Sequence, residues 1–200
     1  MNHPQYTTNQ AYIPFLFLEI KKGCRLYLEN KLIDEIYQYT MEENTFQTTS
    51  IKRKQEFSSF VCKRLGALDS YLVREISQSG SEIGRLLCLY ALMKTDALFF
   101  EFMYEVYQQK LVLRQDYIQS SEMLAFIREK SMESEIVANW SDATVKRLLS
   151  GYRNSMVEGG VASKEKSKLK VTPAYLPEHI KEHLVRSGDE KYVKAMLGDR

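Results

Sequence analysis

The 200-residue chain is 44% hydrophobic and 27% charged with only four prolines and nine glycines, which fits a packed, mainly helical protein and excludes both a disordered chain and a many-turned β architecture. Its formal net charge of +2 excludes a global positive field, so any nucleic-acid site must come from local clustering. Cys24, Cys62 and Cys88 are far apart and contain no CxxC, which argues against a disulfide framework or a zinc ribbon and points to a reduced cytoplasm.

In chain order, a polar arm ends near Pro14; it lacks the positive n-region and small-residue cleavage site of a signal peptide, so no export is expected. The spacing predicts helices over 17–29 and 31–43, the second closed by Asn44. The Thr48-Thr49-Ser50 cluster is a cap signal for a third helix that turns Phe57, Phe60, Val61, Leu65 and Leu68 inward and Lys52, Gln55, Ser59 and Lys63 outward. Helix, short turn and capped basic helix is helix-turn-helix order, so Lys52, Arg53, Lys54 and Lys63 are candidate nucleic-acid contacts. A short helix over 69–77 leads into the Ser/Gly-rich QSGSEIG, a candidate hinge. Two apolar helices follow from Ser81 to Lys110; their greasiest runs are too short, or are broken by Glu101 and Glu105, to span a bilayer, and read as core. The expected organisation is an N-terminal helix-turn-helix-like unit (1–78), central core helices (79–118) and a C-terminal winged-helix-like unit with two terminal helices (119–200): mainly α, a helical bundle with one small β-hairpin wing.

The strongest functional signal lies in 141–172, which carries seven Lys/Arg against three acids. Val145, Leu148, Leu149, Tyr152 and Met156 recur at helical spacing, leaving Lys146, Arg147, Ser150 and Asn154 facing away and Arg153 at the edge. Ser141 is a good N-cap, and Gly159-Gly160 supplies the left-handed turn that ends the helix. Lys164, Lys166, Lys168 and Lys170 then alternate, which on one extended strand places four ammonium groups on one face, suited to a phosphate backbone. A recognition helix followed by a basic wing is the order this pattern predicts. Trp140, beside apolar Ile136 and Val137, is expected to anchor the core.

Signals for catalysis are poor. His179, Glu182 and His183 satisfy an H-x-x-E-H pattern, but a zinc peptidase needs a third ligand, and so short a string of common residues recurs by chance. Ser163-Lys164-Glu165-Lys166 matches S-x-x-K within a lysine-rich exposed wing, where nothing would bury a base. No Gly-rich phosphate loop or nucleophile elbow is found, and Cys62, beside Lys63 and Arg64, reads as structural. No catalytic residue, metal or cofactor is expected.

Three blocks carry a resemblance: YLENKLIDEIYQYTMEENTFQTTSIKRKQEFSSFVCKRLGAL, LLCLYALMKTDALFFEFMYEVYQQKL and FIREKSMESEIVANWSDATVKRLLSGYRNSMVEGGVAS. Together they resemble the BrxA family of bacterial BREX phage-defence systems. The resemblance implies a mainly helical, non-enzymatic protein with winged helix-turn-helix-like units that binds double-stranded DNA beside other BREX components. The family is also described as similar to NusB, an RNA-binding antitermination factor, which keeps RNA open as a partner, and as an inner-membrane protein, against which the lack of a spanning segment argues. A third alternative is a protein-interaction scaffold within the defence complex.

Overall fold

The computed structural model describes residues 6–198. The fold is mainly α with one small three-stranded sheet. Two compact units are formed among the described residues, one spanning Phe15–Thr95, the other joining residues 6–14 to residues 96–198. The division therefore falls within the central apolar segment, and the Ser/Gly loop near 79 is internal to the first unit.

The first unit contains α1 (Phe17–Leu28), α2 (Ile33–Glu42), α3 (Ile51–Leu65), α4 (Ser70–Gln78) and α5 (Ser81–Thr95). Every residue from Leu86 to Met93 is buried, which makes α5 the helix around which α1, α3 and α4 pack. α1 crosses α3 closely at Gly23, where a Cβ would lie 2.7 Å from Val61 Cγ1. Ser50 and Asp69 cap α3 and α4, accepting from the backbone amides of Arg53 (3.2 Å) and Leu72 (2.9 Å). Between α2 and α3, buried Thr40 donates to Ser58 Oγ at 2.9 Å. The link joining these helices is residues 43–50, ordered by the Thr48 amide donating to Asn44 Oδ1 at 3.1 Å, and it is longer than the three or four residues of a helix-turn-helix turn.

In the second unit, α6 (Ala97–Phe102) is capped by Asp96, whose Oδ1 accepts from the Phe99 amide at 3.0 Å, and continues through a π-helical turn (Met103–Tyr107) into α7 (Gln108–Val112). There follow β1 (Tyr117–Gln119), α8 (Ser120–Glu133), α9 (Glu135–Ala138), α10 (Asp142–Glu158), β2 (Ala162–Glu165), β3 (Lys168–Val171), α11 (Glu178–Arg186) and α12 (Glu190–Leu197). β1 has no sequence signal, because three residues are too few to show alternation. The sheet is antiparallel in the order β1-β3-β2, with Ile118 paired to Leu169 and Lys164 to Leu169. Tyr152 of α10 stands at the centre of this core, its ring 5.0 Å from Phe99 and 5.4 Å from Phe102. Buried Lys130 of α8 ties that helix to the preceding segment through Glu101 (2.8 Å) and Glu105 (2.7 Å). Burial alone would lower its pKa; hydrogen bonds to the two carboxylates more than reverse this and raise it.

Candidate nucleic-acid interface

α10 is divided along its length. Ser141 Oγ accepts from the Thr144 amide at 3.2 Å and fixes its start. Val145, Leu148, Tyr152 and Met156 are buried, whereas Lys146, Arg147, Ser150 and Asn154 are exposed and Arg153 lies half-buried at the edge. At its end Gly160, at φ +82, turns the chain from the helix into β2.

The four alternating lysines do not share one strand face. The chain reverses at 166–167: Lys164 lies on β2, Lys166 in the turn at φ +42, and Lys168 and Lys170 on β3. Directly paired residues of antiparallel strands share a face, so Lys164 falls on the side of Leu169 and Ile118, while Lys168 and Lys170 fall on the other, with Tyr117. Lys168 Nζ lies 3.3 Å from the centroid of the Tyr117 ring. The expectation of a single four-lysine face is corrected accordingly: the alternation holds, but a hairpin turn in its middle breaks the parity.

What remains on the α10 side is concentrated. A groove of about 530 Å³ between the start of α8, α10 and the hairpin is floored by Met123, Leu124 and Leu149 and rimmed by Lys146, Ser150, Arg153, Asn154, Lys164 and Lys166. None of the described residues that line it is a carboxylate. Among the described residues, none of Lys146, Lys164 and Lys166 has a carboxylate partner. Arg153 braces the site: its Nη1 donates to Ser120 Oγ at 3.1 Å and its Nη2 to the Lys166 carbonyl at 3.4 Å, while Ser120 Oγ donates to the Ser167 carbonyl. The hairpin turn is thereby held against the start of α8, and unneutralised positive charge is fixed around an exposed helix face.

The opposite flank of α10 is covered by the N-terminal arm, a relation without any local sequence signal. Gly151 admits it: a Cβ there would lie 1.8 Å from the Gln10 carbonyl oxygen. Ser155 Oγ donates to Gln10 Oε1 at 3.2 Å in a buried site, and Tyr6 Oη donates to Glu101 at 2.8 Å. The Arg147 guanidinium rests 5.9 Å from the centroid of the Tyr12 ring.

On the first unit, Lys52 and Lys63 are exposed on α3 as expected. Two neighbours are already engaged: Arg53 pairs with Glu56 at 3.2 Å and stacks over Phe57, and Lys54 Nζ donates to the Met41 carbonyl at 3.0 Å. Trp140 is half-buried at a groove wall with Ile127, Val137 and Val145, and Ile136 beside it is 47% exposed, so this corner is less enclosed than expected. Burial, and secondarily Asp34, pushes the Cys62 thiol up to about 11, opposite in direction to the activation that Lys63 and Arg64 would provide. His179 is exposed, and no group of three or more His, Cys, Asp or Glu among the described residues is arranged to hold a metal. No described helix is long and apolar enough to cross a membrane.

A family model for BrxA matches residues 4–188. The chain belongs to the BrxA family. A protein of Bacillus cereus (strain H3081.97) named BREX protein BrxA is 35% identical over 186 residues, covering 93% of each chain. A crystal structure of an uncharacterized protein from Magnetospirillum magneticum is similar with a TM-score of 0.82 and 16% identity, covering 98% of this chain and 100% of that one. At that identity the likeness speaks to the fold alone, and the BrxA family assignment stands on the sequence match.

Proposed function

We propose that this protein is a non-catalytic, cytoplasmic accessory component of a BREX phage-defence system that binds double-stranded DNA through a winged helix, with α10 as recognition helix and β2–β3 as wing. The observation that carries the reading is the groove: Lys146, Lys164 and Lys166, with Arg153 as their brace, surround an exposed helix face without a carboxylate among them. Element order supports it, since β1, α8, the short α9, α10 and the hairpin run as strand, helix, connecting turn of helix, recognition helix and wing, and β1 closes the sheet against β3. Family membership supports the defence role. Ser150 and Asn154 stand where base edges are read; the cations set position and affinity, so sequence preference is weak. Lys52 and Lys63 add a second basic surface on the first unit.

The test is titration of labelled duplex at two salt concentrations with three proteins: wild type, Lys164→Ala/Lys166→Asn, and Lys168→Ala/Lys170→Ala. Asn is chosen at 166 because it tolerates the left-handed turn. Binding should weaken steeply with salt, and the log-log slope should fall by about two units in the first variant, one per phosphate contact, and by less in the second. Equal effects of the two pairs would refute the groove assignment. Preference for RNA in direct competition would favour a NusB-like regulator, and no binding to either would leave a protein scaffold.

A further inference from the structure

We infer that the N-terminal arm builds a second phosphate-contacting wall, on which Arg147 meets the DNA strand opposite the one gripped by the hairpin and Tyr12 is the residue that positions it. The inference rests on the duplex reading above and deepens it. Gly151, against which the arm lies, and Arg153, which braces the hairpin, are about 200° apart around α10 at 100° per residue, so arm and wing border opposite flanks of one helix. An α-helix with side chains is about 10–12 Å across and the major groove about 12 Å wide, so a helix seated there brings both flanks to phosphates, one strand on each side. The wing flank carries Lys146, Arg153, Lys164 and Lys166.

The arm flank carries Arg147. It is exposed, forms no ion pair among the described residues, and lies against a Tyr12 ring that is itself 51% exposed. A guanidinium held over an aromatic face keeps its in-plane donors free for a phosphate while losing less side-chain freedom on binding. The arm that supplies the ring is anchored by Gln10 on Ser155 and by Tyr6 on Glu101, so the ring's place is set by contacts outside the interface. Of the acids on α10, Glu158 is eleven residues beyond Arg147, roughly 16 Å along the axis, and Asp142 lies on the wing side of the helix start.

Duplexes with one strand neutralised by methylphosphonate linkages test this without a defined binding sequence. A protein with two walls binds more weakly when one strand is neutralised, by about eight-fold at 0.1 M salt for each cation left without its phosphate, beyond the loss that the lowered charge density imposes on any cationic protein; a protein with one wall turns its wall to the charged strand and shows only that common loss. Wild type should therefore weaken at least several-fold on the half-neutral duplex. Arg147→Ala should be weaker on the fully charged duplex and respond several-fold less to the neutralisation than wild type, Tyr12→Leu should fall between the two because it keeps the guanidinium but not its position, and Tyr12→Phe should behave as wild type. Both positions are exposed, and unchanged thermal unfolding of the variants establishes that they fold. Wild type that loses no more than Arg147→Ala when one strand is neutralised, or a Tyr12→Leu protein that responds like Tyr12→Phe, would overturn the second wall while leaving wing binding intact. Failure of wild type to bind the charged duplex at low salt would remove the duplex reading itself.

Discussion

Replacing Gly151 by Ala sets two opposed magnitudes against each other. In an isolated helix the change is favourable by about 1 kcal/mol, because Ala loses less backbone freedom than Gly. Here the new Cβ would lie 1.8 Å from the Gln10 carbonyl oxygen and 2.7 Å from its carbon, far inside van der Waals distance, and the obstacle is backbone on an arm anchored through Tyr6 and Gln10. Relief requires the arm to lift off α10. That breaks the buried Ser155–Gln10 hydrogen bond, costing about 1–3 kcal/mol once a polar group is left unpaired, and exposes part of buried Ile13, worth about 1 kcal/mol more. The arm's loss exceeds the helix's gain by roughly 1–3 kcal/mol. Hydrogen exchange should accordingly show amides of residues 8–13 losing protection while those of α10 keep theirs, with a lowered denaturant midpoint. A Gly151→Ala protein as stable as wild type, with a protected arm, would refute the close approach.

Three further outcomes follow from buried groups. The Tyr152 hydroxyl is buried without a hydrogen-bond partner among the described residues, and desolvation, with Asp96 and Glu101 nearby, holds its pKa well above the ordinary value; Tyr152→Phe keeps the ring contacts and should be neutral or stabilising by up to about 2 kcal/mol in urea unfolding, so a loss above about 1 kcal/mol would contradict the unpartnered hydroxyl. Lys130→Ala strands Glu101 and Glu105, which are partly exposed, and should cost about 1–3 kcal/mol, whereas Lys130→Met combined with Glu101→Gln should recover much of it; equal losses in the two proteins would argue against the ion cluster. Cys24 is pushed up to about 12 by burial, and Cys88 is raised for the same reason. A thiol with a raised folded pKa stabilises fully below the unfolded value near 8.5 and loses that contribution as pH rises toward the folded one, so stability should fall by about 1 kcal/mol per buried thiol between pH 8 and 9.5, and replacing Cys24 and Cys88 by Ala should remove about two-thirds of that fall, the remainder belonging to Cys62.

The elements that were legible in the sequence are those whose signal is local. Ser50 and Ser141 cap the helices they were expected to cap, because an N-cap needs only the side chain and the amide three residues on. The stripe of Val145, Leu148, Tyr152 and Met156 is buried because a period near 3.6 leaves one face no alternative in a compact unit. Relations between distant residues had no such signal. Nothing near Gly151 announces that Gln10 lies against it, and a helix-interior glycine reads simply as a weak helix former. Buried Arg64 and Lys130 look like surface cations until their partners, the Phe15 carbonyl and the glutamates at 101 and 105, are seen to come from elsewhere in the chain.

The candidate site shows how one misplaced local feature redistributes charge. Alternation of Lys164, Lys166, Lys168 and Lys170 has period two, and period two defines a face only while the strand continues. Ser167 and Lys166 make the reversal without glycine or proline, the usual punctuation, and Lys166 adopts the left-handed conformation at φ +42. What holds a lysine there is tertiary: Arg153 binds the Lys166 carbonyl and Ser120 the Ser167 carbonyl, so α8 and α10 together impose the turn. The same interactions that reverse the strand turn Lys164 and Lys166 toward α10 and send Lys168 and Lys170 to the far side of the sheet. Arg153 thus governs charge placement as well as carrying charge, and on the duplex-binding function proposed above its removal should weaken binding by more than the single phosphate contact that one guanidinium supplies.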